Sequence, residues 1–327
     1  MARMDNAAPL PTFDDVLTAA ARIAPRALVT PVLQSRTLDA LAGCDLHFKC
    51  EQLQRAGAFK FRGACNAVWA LTDDAATRGV VTHSSGNHGA ALALAARTRG
   101  IECHVIVPDG AVATKLAAIK AYGATLHRCD ATIAAREARC EAVRLDTGAT
   151  LVHPYTDPHV IAGQATAALE LLNACGPLDA LVVPVGGGGL ASGTVLAAAR
   201  LAPQCEVVVA EPAGAAETAA SLARGERFTD FVPDTVCDGL RGTLGAPNFS
   251  LLQAHRAQAL VIDDRDTIAA MKLLWTRTKQ LVEPSSAIAL AAVLGHRERF
   301  AGQRVGIVLS GGNFDLDALP ALFAAGV

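Results

Sequence analysis

The order of apolar and polar positions along the chain predicts alternating strands and helices. Short apolar runs rich in valine and isoleucine predict strands, because strands covered on both faces carry almost continuous apolar sequence. These predicted strands lie at residues 45–50, 80–83, 103–108, 180–185, 205–212, 260–263 and 304–310. Segments rich in alanine and leucine between them predict helices at residues 13–24, 88–100, 131–148 and 160–176.

This alternation predicts an α/β fold with open, twisted, mostly parallel sheets covered by helices on both faces. With 327 residues, the chain is long enough for a large core, in two domains or in one big one. Open α/β sheets bind ligands beyond the carboxyl ends of their strands. Three glycine- or serine-rich turns follow predicted strands: HSSGNHGA (83–90), PVGGGGLASG (184–193) and LSGGN (309–313).

Charge, cysteine content and hydropathy indicate which partners and which cell compartment are expected for the protein. A net charge of −2 without a basic stripe argues against nucleic-acid binding and favours a small-molecule partner. The nine cysteines are scattered without a CxxC pair, which predicts neither a disulfide framework nor a zinc site and favours the reducing cytoplasm. The start of the chain lacks an apolar leader, and the longest charge-free run, 181–199, is interrupted by Pro184 and four glycines, so no membrane segment is expected.

Four successive glycines, Gly186, Gly187, Gly188 and Gly189, predict an anion-binding turn. Without side chains, backbone N–H groups at the start of a helix can surround a phosphate. A nucleoside triphosphate loop would need lysine after Gly193, where the chain has threonine, and the dinucleotide pattern G-x-G-x-x-G also fails. The turn therefore suits the phosphate of a smaller cofactor.

Lys60, in AGAFKFRGA, is the candidate for amine chemistry. The chain has 6 lysines among its 29 basic residues, so a cation needed only for solubility would more often be arginine. Phe59 and Phe61 predict an apolar wall that lowers the pKa of the amine, and Gly57 and Gly63 are expected to allow close approach of a cofactor. A phosphate site together with a reactive amine favours pyridoxal 5′-phosphate, which is held by its phosphate and by an imine to lysine. The alternative is a lysine at the surface.

Six motifs in order, AGAFKFRGA, SSGNHG, VGGGGL, AEP, VEPSS and SGGN, resemble those of the fold-type II pyridoxal-phosphate enzymes, which are tryptophan synthase β-like. The closest resemblance is to the serine/threonine dehydratase and serine racemase family, and it runs from about residue 10 to the end of the chain. It implies a large domain (1–52 plus 151–327) with a small domain (53–150) inserted in it. Homodimers are usual in such enzymes. A C-terminal regulatory domain is not expected, because 14 residues follow Asn313.

The resemblance also implies roles for individual residues. Lys60 would bind the cofactor and move the Cα proton on one face of the substrate, and Ser85 would be the acid/base on the other face. The implied cofactor-binding residues are Phe59, Lys60, Asn87, Gly186, Gly187, Gly188, Gly189, Gly239 and Ser310. The implied substrate-binding residues are Ser84, Ser85, Gly86, Asn87, His88, Arg136, His153 and Tyr155.

A divalent-cation site is implied after the strand that ends in Glu-Pro. Its ligands would be Glu211, the carbonyl of Ala215 and Glu217, an all-oxygen set that suits Mg²⁺, Ca²⁺ or Mn²⁺. The family pattern has the shorter aspartate where this chain has Glu217. The alternative is ordinary acidity at a helix start.

The implied activity is that of a dehydratase (ammonia-lyase) that converts a β-hydroxy amino acid to a 2-oxo acid and ammonia. A neutral hydroxyl at Ser310, beside the pyridine nitrogen, disfavours a long-lived carbanion and so favours elimination. Arg136 and His153 would suit a second carboxylate, as in 3-hydroxyaspartate, whereas Tyr155, Ala56 and Ala58 would suit phenylserine. The alternatives are an amino-acid (serine) racemase on the same fold and, more remotely, a metabolite-binding protein without catalysis.

Overall fold

The computed structural model describes residues 9–111 and 113–325, and the strands among them form two sheets. The strands are β1 (Val32–Leu33), β2 (Asp45–Cys50), β3 (Val80–His83), β4 (Cys103–Pro108), β5 (Thr125–Cys129), β6 (Thr150–Leu151), β7 (Ala180–Pro184), β8 (Glu206–Pro212), β9 (Gln258–Ile262) and β10 (Arg304–Leu309). The larger sheet has the order β1-β2-β10-β7-β8-β9, and the smaller has the order β5-β4-β3-β6. Pairing between these strands is parallel except for β1 against β2.

Helices cover both faces of the sheets. They are α1 (Phe13–Ile23), α2 (Arg36–Ala42), α3 (Lys60–Ala70), α4 (Asp73–Thr77), α5 (Asn87–Arg99), α6 (Ala113–Ala121), α7 (Ile133–Thr147), α8 (Pro158–Cys175), α9 (Gly189–Leu201), α10 (Glu217–Arg224), α11 (Ala246–Ala254), α12 (Asp264–Thr278), α13 (Pro284–Gly295), α14 (Arg297–Phe300) and α15 (Leu319–Ala325). In the part of the chain that the structure describes, no helix combines the length and apolar character needed to cross a membrane.

Successive residues of β7 show why its sequence is apolar throughout. Val182 packs into the core on the side of α13, and Leu181 and Val183 pack into the core on the side of α8 and α9. Side chains alternate between the faces of a strand, so a strand covered on both faces needs apolar residues at every position. The smaller sheet is covered in the same way, by α3 and α5 on one face and by α7 on the other.

The predicted α/β architecture is confirmed, and each predicted strand and helix is present with ends shifted by at most two residues. The short strands β1 and β6, the partly exposed β5 and the polar helix α3 were not predicted. The last strand of the smaller sheet, Thr150–Leu151, ends one residue beyond the predicted small domain. We keep the division into an inserted small domain and a large domain as a proposal.

Candidate active site

The turn that carries Lys60 is joined by backbone hydrogen bonds to the turn that follows β10. The amide of Phe59 donates to the carbonyl of Ser310 at 2.9 Å, and the amide of Gly312 donates to the carbonyl of Gly57 at 3.0 Å. Ala58 and Gly311 form an isolated antiparallel bridge between these two contacts. Two motifs that lie about 250 residues apart in the sequence therefore form one wall of a cleft.

Lys60 begins α3, and its amine points into this cleft. Nζ donates to the carbonyl oxygen of Pro154 at 3.1 Å and lies 5.1 Å from the centre of the Phe59 ring. Burial lowers the pKa of Lys60 to about 8, although the negative charge of Glu283 partly opposes that effect. A lysine with such a pKa has a substantial neutral fraction near physiological pH, as a nucleophilic amine requires.

The four-glycine turn lies between β7 and the first turn of α9. Gly188 has φ +90°, and α9 begins directly after it, at Gly189, so the turn and the helix start form one anion-binding bend. A Cβ on Gly187 would lie 2.3 Å from Cδ1 of Tyr155, and a Cβ on Gly186 would lie 2.9 Å from Cα of Leu240. The local packing therefore requires that Gly186 and Gly187 have no side chains.

Three rings and a guanidinium line the side of the cleft next to this turn. The rings of His83 and His153 meet edge-on at 5.0 Å, and those of His153 and Tyr155 at 4.6 Å. Burial lowers the pKa of His83 and raises that of Tyr155; the negative charge of Glu137 raises both values, and the positive charge of the adjacent Arg136, on α7, acts to lower both. Within the described residues, the buried Nε of Arg136 has no hydrogen-bond partner.

His153 is a neutral hydrogen-bonding group. Its Nδ1 accepts from the amides of Tyr155 and Thr156 at 3.4 and 3.2 Å, so its proton resides on Nε2. Burial, together with the charges of His83 and Lys60, lowers the pKa of His153 to about 3. We therefore expect His153 to offer an N–H donor to a ligand and not a positive charge.

Asn87, at the start of α5, belongs to a hydrogen-bonded chain of side chains. Its Nδ2 donates to Oε1 of Glu283 at 2.8 Å, and its Oδ1 accepts from Nδ2 of Asn313 at 2.9 Å. Asn87 and Asn313 also line a cavity of about 350 Å³ beside the lysine turn. A larger cavity of about 490 Å³, lined by His47, Lys49, Arg304 and their neighbours, contains none of the predicted site residues.

The remaining predicted residues surround the same region. Ser84, Ser85 and Gly86 form the half-buried turn between β3 and α5, and the buried His88 contacts the carbonyl of Val152 through Nε2 at 3.3 Å. Gly239 donates its amide to the hydroxyl of Ser285 at 3.0 Å, and Ser310 is buried at the end of β10. The catalytic and binding roles of these residues stay predictions.

The expectations for Gly63 and Phe61, two residues near Lys60 in the sequence, were wrong. Gly63 packs α3 against α8, because a Cβ there would lie 2.4 Å from Nε2 of Gln164, so it does not face a cofactor. Gly57 has φ +70° and lies against Asn313, and Phe61 belongs to the apolar core of the smaller sheet. Phe59 is therefore the phenylalanine next to the amine.

The acid pair Glu211 and Glu217 lies behind the glycine turn. Oε2 of Glu211 accepts from the amide of Thr218 at 2.9 Å, and Oε1 of Glu217 accepts from the amide of Leu244 at 2.7 Å. Burial raises the pKa of each carboxyl group to about 7, and the charge of Glu211 adds to the effect on Glu217. Oε2 of Glu217 is buried without a partner among the described residues. The second oxygen of Glu211, Oε1, accepts from the amide of Ala219, so the open oxygen that could bind a hard divalent cation is Oε2 of Glu217.

Glu283, Asn313 and Pro154 contact predicted site residues but were not among the predicted site residues themselves. Asn313 had a signal, since it ends the SGGN motif. Pro154 acts through its backbone carbonyl, which a sequence pattern does not reveal.

The residues present fit pyridoxal phosphate, because a glycine turn at a helix start, which suits a phosphate, is linked through Tyr155 and Pro154 to the partly buried amine of Lys60. The chain is also similar to known proteins. The family model "Pyridoxal-phosphate dependent enzyme" matches residues 23–311. The β-hydroxyaspartate dehydratase of Paracoccus denitrificans is 44% identical over 311 residues, which cover 95% of this chain and 99% of that protein.

Two further comparisons agree with these matches. The L-threo-3-hydroxyaspartate ammonia-lyase of Saccharomyces cerevisiae is 40% identical over 316 residues, covering 96% of this chain and 97% of that protein. The crystal structure of serine racemase from Dictyostelium discoideum superposes with a TM-score of 0.90 at 44% identity, covering 94% of this chain and 99% of that one. The motifs, the fold and these similarities together show that the chain belongs to the pyridoxal-phosphate dependent enzymes, of fold type II.

Proposed function

We propose that this enzyme is an ammonia-lyase that dehydrates a β-hydroxy amino acid with a second carboxylate, of the 3-hydroxyaspartate type. The observation that carries this choice is the buried Nε of Arg136, which has no partner within the described residues and lies near His83 and Tyr155. An unpartnered buried guanidinium nitrogen is costly, and a carboxylate from the substrate would satisfy it. The dehydratase and the ammonia-lyase to which the chain is similar are named for such substrates.

When bound, pyridoxal phosphate supplies an electron sink that makes the Cα–H bond of an amino acid acidic. Lys60 Nζ would hold the cofactor and then accept the Cα proton. The Gly186–Gly189 turn would hold the phosphate, Asn87 would donate to the ring oxygen, and Ser310 would face the ring nitrogen. The Ser84–His88 turn would bind the α-carboxylate, with Ser85 on the face of the substrate opposite Lys60. Loss of the β-hydroxyl and hydrolysis of the enamine product yield a 2-oxo acid and ammonia.

The same geometry allows racemisation, because Lys60 and Ser85 could act on opposite faces of Cα. We favour elimination because Ser310 is a neutral hydroxyl. Incubation of the holoenzyme with serine, threonine, 3-hydroxyaspartate and phenylserine separates the alternatives when 2-oxo acid, ammonia and both enantiomers are quantified. The proposal expects the highest kcat/KM for 2-oxo acid formation from 3-hydroxyaspartate. A faster reaction with phenylserine, or inversion of serine without ammonia release, would contradict it.

The acid pair provides a structural cation site in this proposal. Glu217 holds Leu244, and the next amide, that of Gly245, donates to the carbonyl of Gly187 at 3.2 Å. A cation bound by Glu211, the carbonyl of Ala215 and Glu217 would therefore stabilise the phosphate turn from behind.

We also propose a homodimer in the cytoplasm. Exposed apolar side chains lie on segments that are linked by hydrogen bonds between the Gln54 side chain and the Leu28 backbone and from Gln52 to Gln280. These side chains are Leu28, Val29, Leu53 and Leu281. Clustered exposed apolar side chains are typical of protein–protein interfaces. Sedimentation of the wild type and of Val29→Asp tests the dimer. The cytoplasm is proposed because the nine free thiols favour a reducing compartment.

A further inference from the structure

Glu283 is a buried carboxyl group at the cofactor site to which no function has been assigned. It precedes α13, and its backbone amide donates to the carbonyl of Gly311 at 3.1 Å. Oε1 accepts from Asn87, whereas Oε2 is buried without a hydrogen-bond partner among the described residues. A Cβ on Gly311 would lie 2.8 Å from Oε1, so the carboxyl group is packed directly against the turn that begins with Ser310.

The hydrogen bonds around Glu283 determine which way the Asn87 amide faces. Nδ2 of Asn313 lies 2.7 Å from the carbonyl of Ala56, a pure acceptor, and this contact fixes the orientation of the Asn313 amide. The same NH₂ group then donates to Asn87, whose facing atom must be Oδ1. Nδ2 of Asn87 is consequently the atom that faces Glu283, and it donates there one of its two hydrogens.

The second hydrogen of Asn87 Nδ2 has no acceptor within the described part of the chain, and Asn87 lines the cleft. An amide whose orientation is fixed from both ends offers that hydrogen in one direction, whereas an unconstrained amide could rotate and present its oxygen instead. We propose that Glu283 is a positioning residue for the cofactor: it holds the Asn87 amide so that an N–H faces the ring oxygen of pyridoxal phosphate.

The charged groups around Glu283 come from three segments. Lys60 lies on α3, Asp238 precedes Gly239, and Lys115, on α6, forms an ion pair with Asp238. The charge of Asp238 adds to the burial that raises the pKa of Glu283 to about 7, while Lys115 and the Asn87 hydrogen bond oppose it. The thiol of Cys237 is also nearby, and burial keeps it protonated. Glu283 therefore changes charge in the pH range in which the enzyme would operate, next to Lys60.

Two substitutions separate the hydrogen bond from the charge. Glu283→Gln keeps an acceptor for Asn87 and removes the ionisable group, whereas Glu283→Leu removes both at similar volume. The readouts are the dissociation constant of pyridoxal phosphate and the pH titration of the visible absorption band, both measured on the holoenzyme without substrate. The exposed Glu102→Gln is the matched control.

Glu283→Leu is expected to weaken cofactor binding about tenfold, as for loss of one hydrogen bond. Glu283→Gln is expected to bind within about threefold of wild type and to retain its visible absorption band, because it keeps an acceptor for Asn87. Asn313→Leu, which frees the same amide from its other end, is expected to weaken binding in the manner of Glu283→Leu.

Wild-type affinity in Glu283→Leu and Asn313→Leu would overturn the positioning role. If Glu283→Leu does not fold, Asn313→Leu still decides the positioning role, because it frees the same amide from its other end. These measurements do not depend on the substrate. The wrong substrate class would leave them unchanged, so failure of this inference is distinguishable from failure of the proposed function.

Discussion

The ring of Tyr155 lies on Gly187 so closely that a Cβ on that glycine would be 2.3 Å from Cδ1 and 2.4 Å from Cγ of the ring. The residue before Tyr155, Pro154, accepts the hydrogen bond from Lys60. One short segment therefore connects the phosphate turn with the reactive amine. This connection gives Tyr155 a structural function in addition to the predicted contact with substrate.

Gly187→Ala is expected to displace the Tyr155 ring and weaken cofactor binding at least tenfold. The added methyl group occupies the volume of an aromatic ring whose backbone is also fixed, since the carbonyl of Tyr155 accepts from Asn248 at 2.9 Å. Overpacking of this kind is relieved when the neighbour is made smaller. The double variant Gly187→Ala/Tyr155→Ala should recover part of the affinity, measured by titration with pyridoxal phosphate.

Gly295→Ala is the matched control for this experiment, because nothing lies within 4 Å of the position of its Cβ. It should bind the cofactor like wild type. Equal affinity in wild type and Gly187→Ala would show that the turn is more open than the packing indicates.

The rate at which the apoenzyme captures pyridoxal phosphate should rise with pH, reach half its maximum near pH 8 and level off above about pH 9. The neutral amine of Lys60 is the reactive form, and burial lowers its pKa to about 8, so about one tenth is neutral at pH 7. Borohydride reduction after timed mixing measures the capture. Lys60→Ala should show no fixation, and a rate that still rises between pH 9 and pH 10 would indicate an ordinary lysine.

Much of this site could be predicted from the sequence because its elements are backbone features. A glycine turn after an apolar strand and a lysine in AGAFKFRGA are visible in the residue order. The contacts of Glu283 with Asn87, of Pro154 with Lys60 and of Gly63 with Gln164 depend on how distant segments pack. A residue pattern carries no information on those distances, which explains why Gly63 was assigned to the wrong function.

The elements of the fold also divide into those that a sequence pattern predicts and those that depend on contacts between distant segments. Strands covered on both faces, such as β7, are recognisable from continuous apolar sequence. The two-residue strands β1 and β6 depend on pairing with β2 and β3 and have no pattern of their own. Helix α3 contains Arg62, Gly63 and Asn66, polar or small residues whose burial results from tertiary contacts.

Arg136→Gln is expected to lower kcat/KM for 3-hydroxyaspartate by 10- to 100-fold, roughly the loss of a charge-assisted hydrogen bond, and to leave that for serine within about threefold. The second carboxylate would lose its ionic partner, while the α-carboxylate is bound elsewhere. Steady-state assays of 2-oxo acid formation with both substrates provide the test. Arg139→Gln, on the exposed face of the same helix, is the control, and an equal loss for both substrates would assign Arg136 a structural function instead.

Arg62→Met is expected to lower the free energy of unfolding by about 3–5 kcal/mol. The guanidinium of Arg62 is buried between Glu51 and Glu170, which lie at 2.7 and 2.6 Å, and its removal leaves Glu51 buried without that charge. Urea unfolding of the two variants Arg62→Met and Arg78→Met measures the difference in their free energies of unfolding. Arg78 is the control, because its ion pair with Asp74 lies on the exposed surface of a helix. Similar losses of unfolding free energy in both variants would contradict the importance of burial for the Arg62 ion pairs.

The same network predicts an acid dependence of stability. Burial acts to raise the pKa of Glu170, but hydrogen bonds and charges from Arg62 and Lys49 outweigh it and lower the pKa. A carboxyl group with a lowered pKa in the folded state stabilises the protein above its unfolded pKa, and that contribution disappears as pH falls through the folded pKa. Wild type should therefore lose more stability than Arg62→Met when the pH is lowered below about 4.

Divalent cations should raise Tm, and more strongly at pH 8 than at pH 6. The pKa values of Glu211 and Glu217 are raised to about 7, so the folded protein binds more protons than the unfolded chain between about pH 4 and pH 7. Without a cation, this pair makes stability decline as pH rises through that window. A cation competes with those protons and offsets the repulsion between the carboxylates, so its effect is largest when both are ionised.

Thermal unfolding of the holoenzyme in a chelator and in millimolar Mg²⁺, Ca²⁺ or Mn²⁺ measures this effect, and a shift of several degrees is expected for tight binding. Glu217→Gln should remove the shift, because it removes the negative charge of the carboxylate whose Oε2 is unpartnered and keeps the length of the side chain. The exposed Glu226→Gln should retain it. If none of the three ions changes Tm at pH 8, the ionised acid pair is held by the amides of Thr218 and Leu244 without a cation, and the longer side chain at position 217 has replaced it.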